Sequence, residues 1–354
     1  MKNIQFLKGN EAIGEAAIRA GTDAYFGYPI TPQTEIMEYM IDQSTKGLTD
    51  TVILQAESEV AAINMVYGAA SAGRRVMTST SSPGLSLMME GISYIAGAEL
   101  PCVIVNVARG GPGLGTIQPA QSDYFQIVKG GGHGDYKLLT FAPASVQEMA
   151  DFVAVAYDLA FKYRNPVMIL SDGVIGQMME KVVLPEKQSR ITTYPDWATT
   201  GKKSGQVRRH ITSLNLEPLK QEAHNLHLQE KYRSMEQNEV RYEMISCEDA
   251  EYILVAYGSS ARIAQKTMQM LRQKGVKVGI FRPITLFPFP VKPIFELAGR
   301  VKGFLSVEMS CGQMVEDIRL AVQARTKVEH YGRMGGLVHA PEDILNGFET
   351  IFQL

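Results

Sequence analysis

Short apolar runs alternate with stretches of helical periodicity over the first half of the chain. Strand-length runs fall at residues 23–28, 51–54, 75–78, 102–107, 137–141 and 167–170. Between most of them apolar residues recur at helical spacing, most clearly over 60–70, 85–96 and 146–161. The stretch EAIGEAAIRA opens the series, with Asn10 where a helix N-cap belongs and Gly21 where a helix-ending glycine belongs. Continuous apolar strands alternating with helices predict an α/β fold with a parallel sheet covered on both faces. A smaller block repeats the pattern, with strands at 252–257, 276–281 and 304–307 and a helix over 261–274. No fixed internal period links the two blocks.

The stretch between them differs in composition. Residues 186–248 hold the only tryptophan, Trp197, three of the six histidines and the basic run KKSGQVRRH. Residues 219–242 are rich in good helix formers with few apolar positions, which predicts an exposed helix. His224 and His227 share a face of it, a spacing that a solvated helix explains as well as a metal site does. The expected organisation is a first domain over 1–185, a linker over 186–248 and a second domain over 249–354.

Composition narrows the function. At roughly 150 residues per domain, 354 residues fit two domains, each able to build its own core. A formal charge of -2 gives no general affinity for nucleic acid or anionic membranes. Three scattered cysteines, Cys102, Cys247 and Cys311, exclude a disulfide framework, a CxxC redox pair and an iron–sulfur cluster held by this chain alone. No apolar signal core or 18-residue apolar run is present, so the expectation is a cytoplasmic enzyme subunit.

Candidate chemistry gathers where strands end. The turn YPITP over 28–32 joins a strand to a helix expected to start near Pro32, with Thr31 as its N-cap. It is either a rigid connection or part of a ligand crevice. The segment QAESEVAAINMVYGAASAG places Glu57 and Glu59 at a helix start, where an acid serves the helix dipole or a ligand nitrogen. The loop ARGGPGLG follows a buried strand; its spacing is not that of a phosphate cradle and Pro112 removes a donor, so its glycines read as flexibility. Arg109 is its functional residue, placed to clamp a carboxylate bidentately, or else to pair with an acid such as Asp123. TSTSSPG, at another strand end, lines the same cleft or caps the helix after it.

Taken together, YPITPQTE, QAESEVAAINMVYGAASAG, TSTSSPGLSLM and VNVARGGPGLG resemble, in order and spacing, the alpha-type subunits of 2-oxoacid:ferredoxin oxidoreductases. The opening GNEAIGEAAIRAG is similar too, and the resemblance covers nearly the whole chain. It implies a thiamine diphosphate pyrimidine-binding domain followed by a transketolase C-terminal-like α/β domain. The length resembles the branched-chain (3-methyl-2-oxobutanoate) or 2-oxoglutarate type more than the single-chain pyruvate enzymes. In such enzymes a glutamate hydrogen-bonds N1′ of the cofactor's aminopyrimidine, which primes the neighbouring 4′ nitrogen to take the C2 proton. The matching residue is Glu59, with Glu57 two residues away as the alternative. The resemblance further assigns Thr31 and Arg109 to the substrate's carboxylate or keto oxygen, and Pro29 to the shape of the cofactor loop.

The family's diphosphate and Mg²⁺ motif, GDG with a downstream asparagine, is reduced here to Ser171-Asp172-Gly173. The resemblance therefore implies a beta subunit carrying the diphosphate and Mg²⁺. It also implies gamma and ferredoxin-like subunits with iron–sulfur clusters, ferredoxin as acceptor, and coenzyme A. Two competing readings are a non-catalytic scaffold subunit and a self-sufficient thiamine diphosphate decarboxylase. Glu59, Thr31 and Arg109 argue against the first, and the missing GDG–Asn pattern against the second.

Overall fold

The computed structural model describes residues 4–190, 192–202, 204–205 and 207–354. The chain opens with β1 (Ile4–Lys8) and α1 (Gly9–Arg19). Strand–helix units follow: β2 (Ala24–Gly27) and α2 (Thr34–Thr45), β3 (Val52–Gln55) and α3 (Glu59–Ser71), β4 (Val76–Thr80) and α4 (Pro83–Gly97), β5 (Cys102–Ala108) and the short α5 (Tyr124–Val128). Next come β6 (Leu139–Phe141), α6 (Val146–Tyr163), β7 (Pro166–Asp172), α7 (Gly173–Gln177) and β8 (Met179–Val183). The helix α8 (Pro218–Asn238) and β9 (Tyr242–Ile245) lead to β10 (Tyr252–Val255), α9 (Gly258–Gln273), β11 (Val278–Pro283) and β12 (Thr285–Phe287). The chain closes with α10 (Val291–Ala298), β13 (Gly303–Glu308), α11 (Met314–Val322), β14 (Lys327–Gly332) and α12 (Pro341–Phe352).

Seven strands form the first sheet, in the order β12-β6-β7-β5-β4-β2-β3. All neighbours are parallel except β12, which pairs antiparallel with β6. Every residue of β4, β5 and β7 is buried, as an apolar strand covered on both faces requires. One helical layer groups α1 with α2 and α6, and another pairs α3 with α4. From β2 the chain moves outward to the edge strand β3, then returns through β4 toward the other edge. The crevice outside the carboxyl ends of β2 and β4 is thus the point where the winding reverses, the usual ligand position in such sheets.

The second sheet, β14-β13-β10-β11-β9, is parallel except for β9. Its central strands β10, β11 and β13 are buried on both faces, but against different partners. Ile253, Val255, Phe281 and Phe304 join the large core of the first block. Leu254, Ile280, Leu305 and Val307 pack in a separate cluster with residues of α9 and α12. The two blocks therefore share one continuous core, and β12, though late in sequence, completes the edge of the first sheet.

Several local expectations shift. Asn10 is not a cap: Lys8 stands at the N-cap position, and Asn10 lies fully buried in the first turn of α1. Gly21, at φ +73°, does follow the helix end as read. The helix after YPITP starts at Thr34 with Gln33 at its N-cap position, so neither Thr31 nor Pro32 opens it. The 186–248 stretch does hold a helix, α8, mostly exposed but docked through Leu228, Tyr232 and Met235. It also contributes β9, which pairs with β11. His224 meets the Gly97 carbonyl at 2.7 Å and His227 the Glu99 carboxylate at 3.0 Å, contacts that hold the helix rather than a metal. Lys203 and Gln206 of the basic run lie outside the described residues.

Candidate active site

The YPITP loop is fastened from beneath by a buried polar chain. Tyr25 on β2 and Ser79 on β4 are both fully enclosed, and the Tyr25 hydroxyl donates to Ser79 Oγ at 2.5 Å. Burial pushes the Tyr25 phenol far above its ordinary range, so it stays a donor. Ser79 in turn donates to Oε1 of buried Gln33, whose Nε2 donates to the Tyr28 carbonyl at 3.1 Å. Asn10 Nδ2 and Gln177 Nε2 donate to the Pro32 carbonyl at 2.7 and 3.2 Å. Between these anchors Thr31 is exposed and Pro29 half-buried, at the open rim of the crevice.

Across the crevice, Ser58 caps α3 by accepting a hydrogen bond from Ala61 N at 3.1 Å. That cap fixes the first turn, leaving Glu57 exposed and burying Glu59 to 6%. Among the described residues, no hydrogen bond or ion pair reaches the Glu59 carboxylate. The carboxylate is thus free to meet a group that enters the crevice. Beside it, the buried Thr80 hydroxyl also lacks a partner. Gly84 separates the two: a Cβ there would stand 2.6 Å from Glu59 Oε1 and collide with Thr80 Oγ1. Only a glycine at 84 leaves room for this carboxylate and hydroxyl, and such a pair suits the nitrogen-bearing edge of a planar ring.

Arg109 lies at the end of β5 and is 7% exposed. Its Nη1 donates to the Thr31 carbonyl at 2.9 Å and its Nη2 to the Leu114 carbonyl at 3.1 Å, tying the YPITP loop to the glycine loop. Its Nε has no partner. It makes no ion pair with Asp123 among the described residues. Instead Ser82 links them, accepting from Arg109 N at 2.9 Å and donating to Asp123 Oδ2 at 2.6 Å. Burial raises the Asp123 pKa, against the pull of Ser82, Asn106 and Arg109. Ser82 therefore cross-links rather than caps α4, from a backbone at φ +27°, a strained value for a residue with a side chain.

The glycines after Arg109 are there for closeness as much as for freedom. A Cβ on Gly110 would lie 2.8 Å from Gly336 N, so backbones of the two blocks touch there. Gly113 alone stands in open space at φ +69°. A cleft of about 380 Å³ opens beside this contact, walled by Arg109, Gly110 and Asp123 on one side and Met309, Cys311 and Met334 on the other.

Asp172, the acid of Ser171-Asp172-Gly173, faces no opening. Its Oδ1 caps α7 through Val174 N at 2.9 Å, and its Oδ2 accepts from Ser259 Oγ at 2.7 Å. Burial raises its pKa, offset by those Ser259 bonds. Among the described residues, no group of three or more His, Cys, Asp or Glu could hold a metal ion, and no helix is long and apolar enough to cross a membrane. The residues around Glu59 fit the pyrimidine half of thiamine diphosphate, whereas Asp172, spent on α7 and Ser259, is not turned toward a diphosphate or Mg²⁺. Sequence reasoning missed Gln33 and took Ser79 and Thr80 only as part of a polar loop that lines the cleft or caps a helix, because only the fold shows which of their polar atoms point inward.

Residues 15–246 match the model for pyruvate flavodoxin/ferredoxin oxidoreductase, thiamine diphosphate-binding, and residues 250–344 match pyruvate:ferredoxin oxidoreductase core domain II. Ketoisovalerate oxidoreductase subunit VorB of Methanothermobacter marburgensis is 52% identical, over 98% of this chain and 97% of its own length. The 2-oxoglutarate synthase subunit KorA of Methanocaldococcus jannaschii is 34% identical, over 96% and 98%. The solved 2-oxoglutarate:ferredoxin oxidoreductase of Magnetococcus marinus, with 2-oxoglutarate, coenzyme A and succinyl-CoA bound, superposes with a TM-score of 0.85 at 28% identity. That match covers 99% of this chain, which spans 65% of the solved one. A split-gene transketolase shares the fold alone, at a TM-score of 0.61 and 13% identity. With both family models and near full-length relatives in agreement, this chain belongs to the pyruvate flavodoxin/ferredoxin oxidoreductase family.

Proposed function

We propose that the chain is the pyrimidine-side subunit of a thiamine diphosphate-dependent 2-oxoacid:ferredoxin oxidoreductase. The observation that carries this is Glu59, a buried residue whose carboxylate has no partner among the described residues, at the β2/β4 ends and packed against Gly84. Thiamine diphosphate, when bound, supplies a nucleophilic carbon for the 2-oxo group and a sink for the electrons left by departing CO₂. Glu59 shares a proton with N1′ of the aminopyrimidine, and its burial strengthens that contact. Pro29 sets the shape of the loop against the ring. Arg109 and Thr31 orient the substrate's carboxylate and keto oxygen.

The overall reaction converts a 2-oxoacid and coenzyme A into acyl-CoA and CO₂, releasing one proton and two electrons to ferredoxin. The favoured substrate is branched-chain 3-methyl-2-oxobutanoate, with 2-oxoglutarate next. The ketoisovalerate relative, at 52% identity against 34% for the 2-oxoglutarate relative, supports that order. Since Asp172 is spent within the chain, a beta subunit supplies the diphosphate and Mg²⁺ site. Gamma and ferredoxin-like subunits carry the iron–sulfur clusters, and the complex is cytoplasmic. The domains are read as 1–185, 186–248 and 249–354, with β9 of the middle stretch lent to the second sheet and β12 of the last block to the first.

Acyl-CoA profiling of the co-purified complex, offered a panel of 2-oxoacids, tests the proposal. The expected main product is the branched-chain acyl-CoA. Succinyl-CoA as the main product would move the substrate to 2-oxoglutarate, and no acyl-CoA from any member would sink the reading.

A further inference from the structure

Gln121 closes the loop that begins at Arg109. It is 2% exposed, and all its polar groups reach into the second block. Its backbone N donates to the Met309 carbonyl at 2.9 Å. Its Oε1 accepts from Met309 N at 3.0 Å and Ser260 Oγ at 2.7 Å. Its Nε2 donates to the Tyr257 carbonyl at 2.9 Å, and its own carbonyl accepts from the Tyr257 hydroxyl at 3.1 Å. Five hydrogen bonds at one residue leave it no freedom to shift without the second block.

The near end of the loop is pinned as well. Arg109 bridges to Pro119, Gly110 N donates to the Gln118 carbonyl at 2.9 Å, and Thr116 N donates to the Gly110 carbonyl at 2.8 Å. Between those pins most of residues 110–118 are exposed. Leu114, which holds Nη2 of Arg109, belongs to that exposed arch. The direction of the guanidinium fork therefore depends on where the arch stands, and Gln121 sets that from its buried foot.

We propose that Gln121 is a positioning residue for Arg109, making the second α/β block the anchor of the carboxylate-binding loop. This rests on the reading of Arg109 as a substrate ligand. Gln121 touches no substrate; it acts through the loop.

The test uses the assembled complex carrying Gln121→Leu, Ser260→Ala or Tyr257→Phe. The two hydroxyl variants each remove one bond to Gln121 and carry the test if Gln121→Leu does not assemble. Each should raise KM for the 2-oxoacid about 3- to 10-fold, the range of one net hydrogen bond, and Gln121→Leu roughly 10-fold or more. Exchange of the thiamine diphosphate C2 proton needs no 2-oxoacid and should stay at the wild-type rate. An unchanged KM in the assembled variants overturns the proposal, as does a loss of kcat and C2 exchange in the same proportion as the KM change. Amide hydrogen exchange at Gly110 and Thr116, read on the full chain without substrate, separates the anchor from the substrate reading. Faster exchange in the variants upholds the anchor even if the wild-type complex turns over no 2-oxoacid; unchanged exchange overturns it.

Discussion

Two glutamates stand two residues apart at the start of α3, and the Ser58 cap turns only Glu59 inward. Glu59 makes no hydrogen bond or ion pair among the described residues, so Glu59→Ala should leave the melting temperature nearly unchanged. It should slow C2 hydrogen–deuterium exchange of thiamine diphosphate in the assembled complex by ~10²-fold or more. Glu57→Ala should exchange normally; the reverse pattern would hand the role to Glu57. Arg109→Lys replaces a planar fork with a point charge and frees the Thr31 or Leu114 carbonyl. We expect kcat/KM for the 2-oxoacid to fall roughly 10- to 150-fold with thiamine diphosphate affinity retained, the size of one charge-assisted bond. Steady-state kinetics on that mutant complex decides it: a wild-type kcat/KM for every 2-oxoacid removes Arg109 from the site. The proposed site residues Pro29, Thr31, Glu59 and Arg109 are legible as candidates because each lies in a segment that carries the family resemblance. Gln121 is not, since its partners Tyr257, Ser260 and Met309 lie far along the chain and its own neighbours carry no pattern.

Among the elements, those that bury an unbroken apolar run were legible, and those that lean on a neighbour were not. The central strands β4, β5 and β7 are read within a few residues, because both faces are covered. The ribbon of β1 and β8 mixes polar and apolar residues without a regular period, β12 has three residues, and β14 mixes Lys327, Glu329 and His330 with apolar positions. Each is specified by its pairing partner rather than by its own periodicity. For α8 the few apolar positions matter more than their number. Met235→Ala, at a fully buried site, should destabilise by about 2–5 kcal/mol in denaturant unfolding, whereas Leu226→Ala, at 59% exposure, should stay within about 0.5 kcal/mol. His339, just before α12, is buried near the Glu308 backbone, beside Arg333, Asp343 and His330. Burial lowers its pKa from 6.5 to about 4. Between those values the unfolded chain takes up the proton and the folded chain does not, so stability falls as pH drops from 6.5 toward 4. Urea midpoints at pH 7 and pH 5 should differ less in His339→Gln than in the wild type.

For the whole molecule, the half-site around Glu59 and the fully committed Asp172 set the outcome for the chain without its partners. Calorimetry with Mg²⁺ should show no micromolar thiamine diphosphate binding to the isolated chain; micromolar binding would revive the self-sufficient decarboxylase. The sharing of one core by both blocks was hidden from the sequence, because a strand buried on two faces reads alike whichever partners cover it. The placement of β12 bears on how the protein is made. A growing chain that has reached residue 248 carries six of the seven strands of its first sheet, with β6 left as an open edge. Only when residues 285–287 have left the ribosome can that edge be closed, so the first block waits, with an edge ready for wrong pairing, on the synthesis of the second. A gene split between the two family modules would thus yield an N-terminal product that aggregates during synthesis unless its other half is made alongside it.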